Sequence, residues 1–155
     1  MEFEIKDKIE DFISASNYFL IDYVIKGDKN NKIIEIYVDS KSGVNADELG
    51  KLNHGIWDVL KKEEMTDKIL KIIVSSPGTD KPVKFFWQLE KHIGRKIQVR
   101  KGESIVQGIL KEMIEKPEGN FILVEFKKGK GKKLISENTE FIFGDEIEIN
   151  IIPGF

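Results

Sequence analysis

The chain contains no cysteine. Disulfides, thiolate catalysis and cysteine-ligated zinc are thereby excluded, and a reducing cytoplasm is the natural setting. Histidine is scarce as well. His54 and His92 are the only two, both fall in expected helices, and neither has the i, i+4 histidine partner or carboxylate cluster of a metal site. No apolar run approaches membrane-spanning length, and the stretch Met1-Glu2-Phe3-Glu4-Ile5-Lys6-Asp7 lacks the basic region and apolar core of a secretion signal. The expectation is a cytoplasmic protein with no membrane partner and no internal repeat.

What is present describes an ordinary folded protein: 155 residues, 40% hydrophobic and 34% charged, well outside the disordered regime. That length suits one domain or two small ones. The net charge of −2 hides a division along the chain. Residues 1–80 hold 11 basic and 16 acidic side chains, whereas residues 81–155 hold 14 basic and 11 acidic. From Lys81 to Lys101, seven cations (Lys81, Lys84, Lys91, Arg95, Lys96, Arg100, Lys101) face Glu90 alone. A molecule polarised in this way can offer one surface to phosphate and another to a basic protein.

Taken in order, Ile5, Ile9, Phe12 and Ile13 have helical spacing and predict a surface helix over Glu2 to Ser14. Tyr18 to Lys26 reads as a strand with Phe19, Ile21, Tyr23 and Ile25 on one side. The turn residues Gly27 to Asn31 then join it in a hairpin to Lys32 to Asp39. Asn45 followed by Glu48 predicts a capped helix whose stripe is Leu49, Leu52, Ile56, Trp57 and Leu60. Ile69 to Val74 is a nearly unbroken aliphatic run, expected to be a strand buried on both faces. These elements give an α-β-β-α-β sandwich, two helices on a three-stranded sheet, over residues 1–83.

At the end of that strand the chain must turn. Pro77 restricts Ser76 to extended backbone and presets its own φ, and Gly78 can supply the positive φ of a type II turn. Asp80 then stands close to a helix start expected at Pro82. That helix, Val83 to Ile93, would place Val83, Phe86, Leu89 or Glu90, and Ile93 on one side and stop at Gly94. Beyond it, helical periodicity gives way to short strands, of which Ile147, Ile149 and Ile151 alternating with polar residues is the clearest. About five such strands predict a small barrel over residues 84–155. The Lys127 to Lys133 segment, with its two glycines, is unsuited to the helix of an oligonucleotide-binding barrel, so an SH3-like or Sm-like barrel is preferred.

Val74-Ser75-Ser76-Pro77-Gly78-Thr79-Asp80-Lys81-Pro82-Val83 resembles the V-S-S-P-G-L-D-R-P-L signature of the RimP family of bacterial ribosome maturation factors, with seven of the ten positions matching. Thr79 and Val83 replace leucines. Lys81 replaces an arginine, which keeps the charge and loses the bidentate fork. The order of elements and the closing Pro153-Gly154-Phe155 extend the likeness over the whole chain. The resemblance implies the same sandwich and SH3-like barrel. It also implies a non-enzymatic factor for maturation of the small (30S) ribosomal subunit, binding immature subunits, rRNA and a decoding-centre ribosomal protein, with no cofactor and no small-molecule substrate. Ser75, Ser76, Pro77, Gly78, Asp80, Lys81 and Pro82 are then the interdomain and binding motif.

Other chemistry finds less support in the residues. Ser75 and Ser76 lack G-x-S-x-G spacing, and Asp39, Asp47 and Glu48 suggest a cation site, but helix capping accounts for two of them more cheaply. The lysines of 127–133 lack a Walker pattern and read as a solvated hairpin loop or a diffuse RNA contact. Between Lys81 and Lys101, Phe85, Phe86 and Trp87 are interleaved with cations. Two readings stand: aromatics filling a domain junction beside solvated cations, or a nucleic-acid surface in which Trp87 stacks on a base and Lys84, Arg95, Lys96, Arg100 and Lys101 meet phosphates. The acidic residues Glu2, Glu4, Asp7, Glu10 and Asp11 form either a solvated helix face or a surface for a lysine-rich protein. A general single-stranded RNA-binding module is the alternative function.

Overall fold

The structure, a computed structural model, describes residues 2–78, 81–128 and 135–153. The chain divides into two compact units, Met1–Pro77 and Gly78–Phe155, each with its own hydrophobic core. The whole is α+β. No helix among the described residues is long and apolar enough to cross a membrane.

In the first unit the order is α1 (Glu2–Ser14), β1 (Phe19–Gly27), β2 (Lys32–Asp39), α2 (Ala46–Lys62) and β3 (Ile69–Ser75), the α-β-β-α-β order expected. Ile5, Ile9 and Ile13 recur every four residues, fall on one line of α1, and are buried. They join Ile34, Ile36 and Val38 of β2 and Leu52, Ile56 and Leu60 of α2 in one core. The β1–β2 turn is tied by Asp28, whose Oδ1 accepts the backbone N–H groups of Asn30 and Asn31, each at 2.9 Å. Asn53 of α2 donates to the carbonyl of Ile72 at 3.0 Å, joining helix to strand.

The sheet order is β1-β2-β3, with β1 antiparallel and β3 parallel to β2. Two expectations need correction here. Strict alternation along β1 fails because the register shifts between Leu20 and Asp22. Leu20 and Tyr23 both reach the core while Phe19 is exposed, as a bulge dictates. Nor is β3 buried on both faces. It is an edge strand with Ile69, Ile72 and Val74 in the core and Leu70 62% exposed. Both helices contribute to the same core on one side of the sheet, and a register shift that skips Leu70 leaves Ile72 and Val74 alternating inward after Ile69.

The second unit holds a short 3-10 helix (Phe86–His92) and strands β4 (Lys96–Lys101), β5 (Ser104–Lys116), β6 (Gly119–Lys128), β7 (Ile135–Ile142) and β8 (Ile147–Ile151). All pairings are antiparallel, in the order β7-β6-β5-β4-β8, so the last strand returns beside the first. Ile97, Val99, Leu110, Ile122, Val124, Ile149 and Ile151 fill its interior together with Leu89. The alternation expected for Ile147, Ile149 and Ile151 is present.

A closed barrel is not what the ladders make: among the described residues β7 and β8 are the two edges, and no pairing joins them. In the connection between these edges Phe143 packs against the core beside Phe86, ring centroids 5.4 Å apart. The helix expected from Pro82 also begins later, at Phe86. Val83 is claimed by the sheet, its N–H donating to the Ile149 carbonyl at 2.8 Å, and Ile93 is exposed.

Gly55 on α2 marks a close approach of the two helices, since a Cβ there would lie 2.2 Å from Cζ of Phe12 on α1. Gly55→Val should therefore destabilise the protein by about 1–3 kcal/mol, the usual cost of overpacking, read as a lower urea midpoint. Phe12→Leu in the same chain should return part of the loss.

Candidate functional site

The proline-glycine corner begins where β3 ends. Ser75 is half-buried and pairs with Tyr37 of β2, Ser76 is exposed and Pro77 is buried. Gly78 has φ +54, the positive value expected of it. Nothing lies within 4 Å of a Cβ at that position, so backbone conformation and not space calls for glycine. Asp80, and with it the expected carboxylate at a helix start, lies outside the described residues. Lys81 is half-buried and Pro82 exposed.

The next segment is organised by a residue that the sequence reading passed over. Gln88 is only 4% exposed, and its Oε1 accepts the backbone N–H groups of both Lys84 and Phe85 at 2.8 Å. These two residues are thus held extended ahead of the helix. Phe86 turns inward to the core. Phe85 and Trp87 instead stack on one another, centroids 5.7 Å apart and planes within 10°, and Nζ of Lys84 lies 5.4 Å from the Phe85 ring centre. Trp87 therefore already has one aromatic neighbour, and both rings are half-buried.

The remaining cations are distributed by strand periodicity. Along β4, Ile97 and Val99 point into the core, so Lys96, Gln98 and Arg100 take the opposite face. Lys96 and Arg100 are exposed there, about 13 Å apart at the rise of an extended chain. Between them Gln98 accepts a hydrogen bond from Gln107 at 3.3 Å and stands opposite Asn150 of β8. Arg100 approaches Glu148 at 3.8 Å, a loose and exposed pair that leaves most of the guanidinium to solvent. Lys101 is displaced by one position and belongs to the inner face, at the β4–β5 turn. Arg95 lies in the turn before β4, exposed, its carbonyl accepting from Leu110 N–H at 2.9 Å. Thus Lys96 and Arg100 share a face, while Lys101, Arg95 and Lys84 each occupy a different local setting. Of the 127–133 segment, residues 129–133 lie outside the described residues.

In the first unit the acidic helix face is present, with Glu4, Asp7 and Asp11 exposed. Lys6–Glu10 at 3.7 Å and Lys8–Glu63 at 3.5 Å neutralise part of it. Asn45 caps α2, accepting from Glu48 N–H at 2.9 Å. Glu48 does not reach back to complete the expected box; its carboxylate accepts a hydrogen bond from the Tyr18 hydroxyl. That bond, helped by burial and by the carboxylate charge, raises the Tyr18 phenol to about 12. Asp39 is buried and receives the Ser40 N–H at 2.8 Å. Among the described residues no group of three or more His, Cys, Asp and Glu side chains is placed to hold a metal ion.

The arrangement is that of a two-unit α+β protein whose distinctive parts are a proline-glycine corner, a surface aromatic stack and a sheet face carrying cations and amides. Sequence relationships agree with this division. Residues 8–80 match the RimP N-terminal domain. The chain is 32% identical over 132 residues to the ribosome maturation factor RimP of Chlorobium phaeobacteroides, covering 77% of this chain and 76% of that protein. It is 28% identical over 133 residues to that of Chlorobium phaeovibrioides, with 77% of each covered. Against the Prosthecochloris aestuarii protein of the same name it is 30% identical over 89 residues, 55% of this chain and 50% of that one. The chain belongs to the RimP family.

Two measurements check this geometry. Because the folded Tyr18 phenol is raised above its ordinary value of 10, its bond to Glu48 stabilises the fold below about pH 10. The contribution is lost as pH rises through about 12. Ultraviolet titration of the native protein should show Tyr18 ionising late, and Glu48→Gln should bring it back toward 10. Gln88→Leu should cost about 1–3 kcal/mol by stranding two backbone donors, visible in urea unfolding together with altered Trp87 fluorescence.

Proposed function

We propose that this protein is a ribosome maturation factor that acts by binding rather than by catalysing a reaction. The observation that carries the reading is the relationship to ribosome maturation factor RimP over 132 residues, well beyond the 8–80 match to the N-terminal domain. The geometry of the corner, with positive φ at Gly78 after a buried Pro77, supports it. Within this reading the target is the immature small (30S) subunit, in the cytoplasm, with rRNA and a decoding-centre ribosomal protein as partners. The cationic face of Lys96 and Arg100 would approach phosphate, and the acidic face of α1 would approach a basic protein. Ser75, Ser76, Pro77, Gly78, Asp80, Lys81 and Pro82 form the binding motif of the proposal. The five-stranded sheet, its last strand lying beside its first, corresponds in it to an SH3-like module left open at one seam.

A second reading, a general single-stranded RNA-binding module, draws on the Lys84, Phe85 and Trp87 stack. Affinity for unrelated oligonucleotides equal to that for ribosomal RNA, and falling steeply with salt, would favour it.

Tagged protein should cosediment with immature small-subunit particles, and cells lacking it should accumulate such particles. Lys96→Gln with Arg100→Gln should weaken that association and flatten its salt dependence. Gly78→Val, which forces a β-branched residue to positive φ at about 1–2 kcal/mol, should reproduce the particle defect. A normal particle profile in cells lacking the protein would overturn the reading.

A further inference from the structure

The outer face of the second sheet carries a row of three amides. Asn150 of β8, Gln98 of β4 and Gln107 of β5 stand opposite one another, at the strand spacing of about 4.8 Å. Ile149 and Ile151 on either side of Asn150 are buried, as are Ile97 and Val99 on either side of Gln98, which turns both amides away from the core. Along β4, Lys96 and Arg100 flank the row, one on each side and both exposed.

The amides are not equivalent. Gln107 donates to Oε1 of Gln98 at 3.3 Å, which ties those two to each other. Asn150 is half-buried, and its side chain has no partner among the described residues. It therefore holds out both a donor and an acceptor, from a strand fixed by its ladder to β4. Two carboxylates share this face, Glu148 at 3.8 Å from Arg100 and Glu125 at 3.8 Å from Lys111. Neither is close enough to its cation to hold it firmly.

An occupant of the face meets cation, amide and cation in succession along β4. Phosphate, base and phosphate succeed one another in the same order along a nucleic-acid strand. An unpaired base, whichever it is, presents a neighbouring donor and acceptor on its pairing edge, and a free amide meets both. In a duplex that edge is taken by the complementary strand. We propose that this face holds single-stranded RNA, with the two phosphates flanking one nucleotide on Lys96 and Arg100 and the pairing edge of its base on Asn150. The inference deepens the ribosomal reading, on which it rests for the source of the RNA. The free amide carries the choice of unpaired over paired strand. Asn150 contacts the base without selecting its identity, and Glu148 competes with phosphate for Arg100.

The test is fluorescence anisotropy of the full chain with labelled hexamers of adenosine, cytidine and uridine, an abasic hexamer of the same charge, and a blunt RNA duplex. The three base-bearing hexamers should bind within a few-fold of one another and about tenfold tighter than the abasic strand, the scale of two net hydrogen bonds. Asn150→Leu, with thermal unfolding monitored, should bring them down to the abasic level. Glu148→Gln should tighten every strand by leaving Arg100 to phosphate, and Lys96→Gln with Arg100→Gln should weaken every strand. Should Asn150→Leu fail to fold, Asn150→Ser, smaller and still polar, should narrow the gap between base-bearing and abasic strands. Equal binding of the abasic strand or of the duplex, an undiminished gap in a folded Asn150 variant, or displacement of the uridine hexamer by an acidic peptide at equal concentration of charge would overturn the proposal. Cosedimentation with ribosomal particles that survives such a result would leave the ribosomal reading intact.

Discussion

Strand β4 is hydrogen-bonded on both sides, to β5 and to β8, and the register of both ladders is set by what its side chains bury. Val99 stands opposite Val106 on one side and Ile149 on the other; Ile97 stands opposite Gly108 and Ile151. A slip of one residue would turn Ile97 and Val99 outward and drive Lys96, Gln98 and Arg100 into the core. The burial of one isoleucine and one valine is thus what orients two cations and an amide on the opposite face. Lys101, one residue further, falls on the inner side by the same rule. The surface chemistry of this unit follows from its interior.

The first unit rests on a different constraint. Parallel pairing of β3 with β2 cannot be made by a tight turn, so α2 must cross over between them. That crossover brings α2 against α1 on one face of the sheet, where Gly55 and Phe12 permit the approach. It also leaves β3 at the sheet edge, from which the chain enters the proline-glycine corner.

Much of this was legible in the residues, where local periodicity decides the outcome. Ile5, Ile9 and Ile13 at intervals of four, the stripe of α2, and Ile147, Ile149 and Ile151 at intervals of two each declare a face. The corner was legible because proline and glycine act on backbone angles directly, and the family likeness because it rests on that same corner. What escaped depends on partners distant in sequence. The register shift between Leu20 and Asp22 exists only once β1 meets β2, and Leu70 is exposed because both helices choose the other face. The late start of the 3-10 helix comes from Val83 pairing with Ile149, a contact no local pattern announces. Gln88 was missed because glutamine is usually a surface residue, and only its burial reveals that it holds Lys84 and Phe85. The open seam between β7 and β8 is likewise a matter of which strands pair, which strand counting does not see.

The return of β8 to the side of β4 has a kinetic consequence. The hairpins of β4 with β5 and β5 with β6 can zip from their turns, but the β4–β8 ladder must close a loop spanning nearly the whole unit. Closure entropy makes that the slow event. Until it happens, Ile97 and Val99 line an unfinished edge with raw amides, a surface prone to recruit a neighbouring chain. The second unit therefore commits late, and its vulnerability to self-association lies in the interval before its final strand docks.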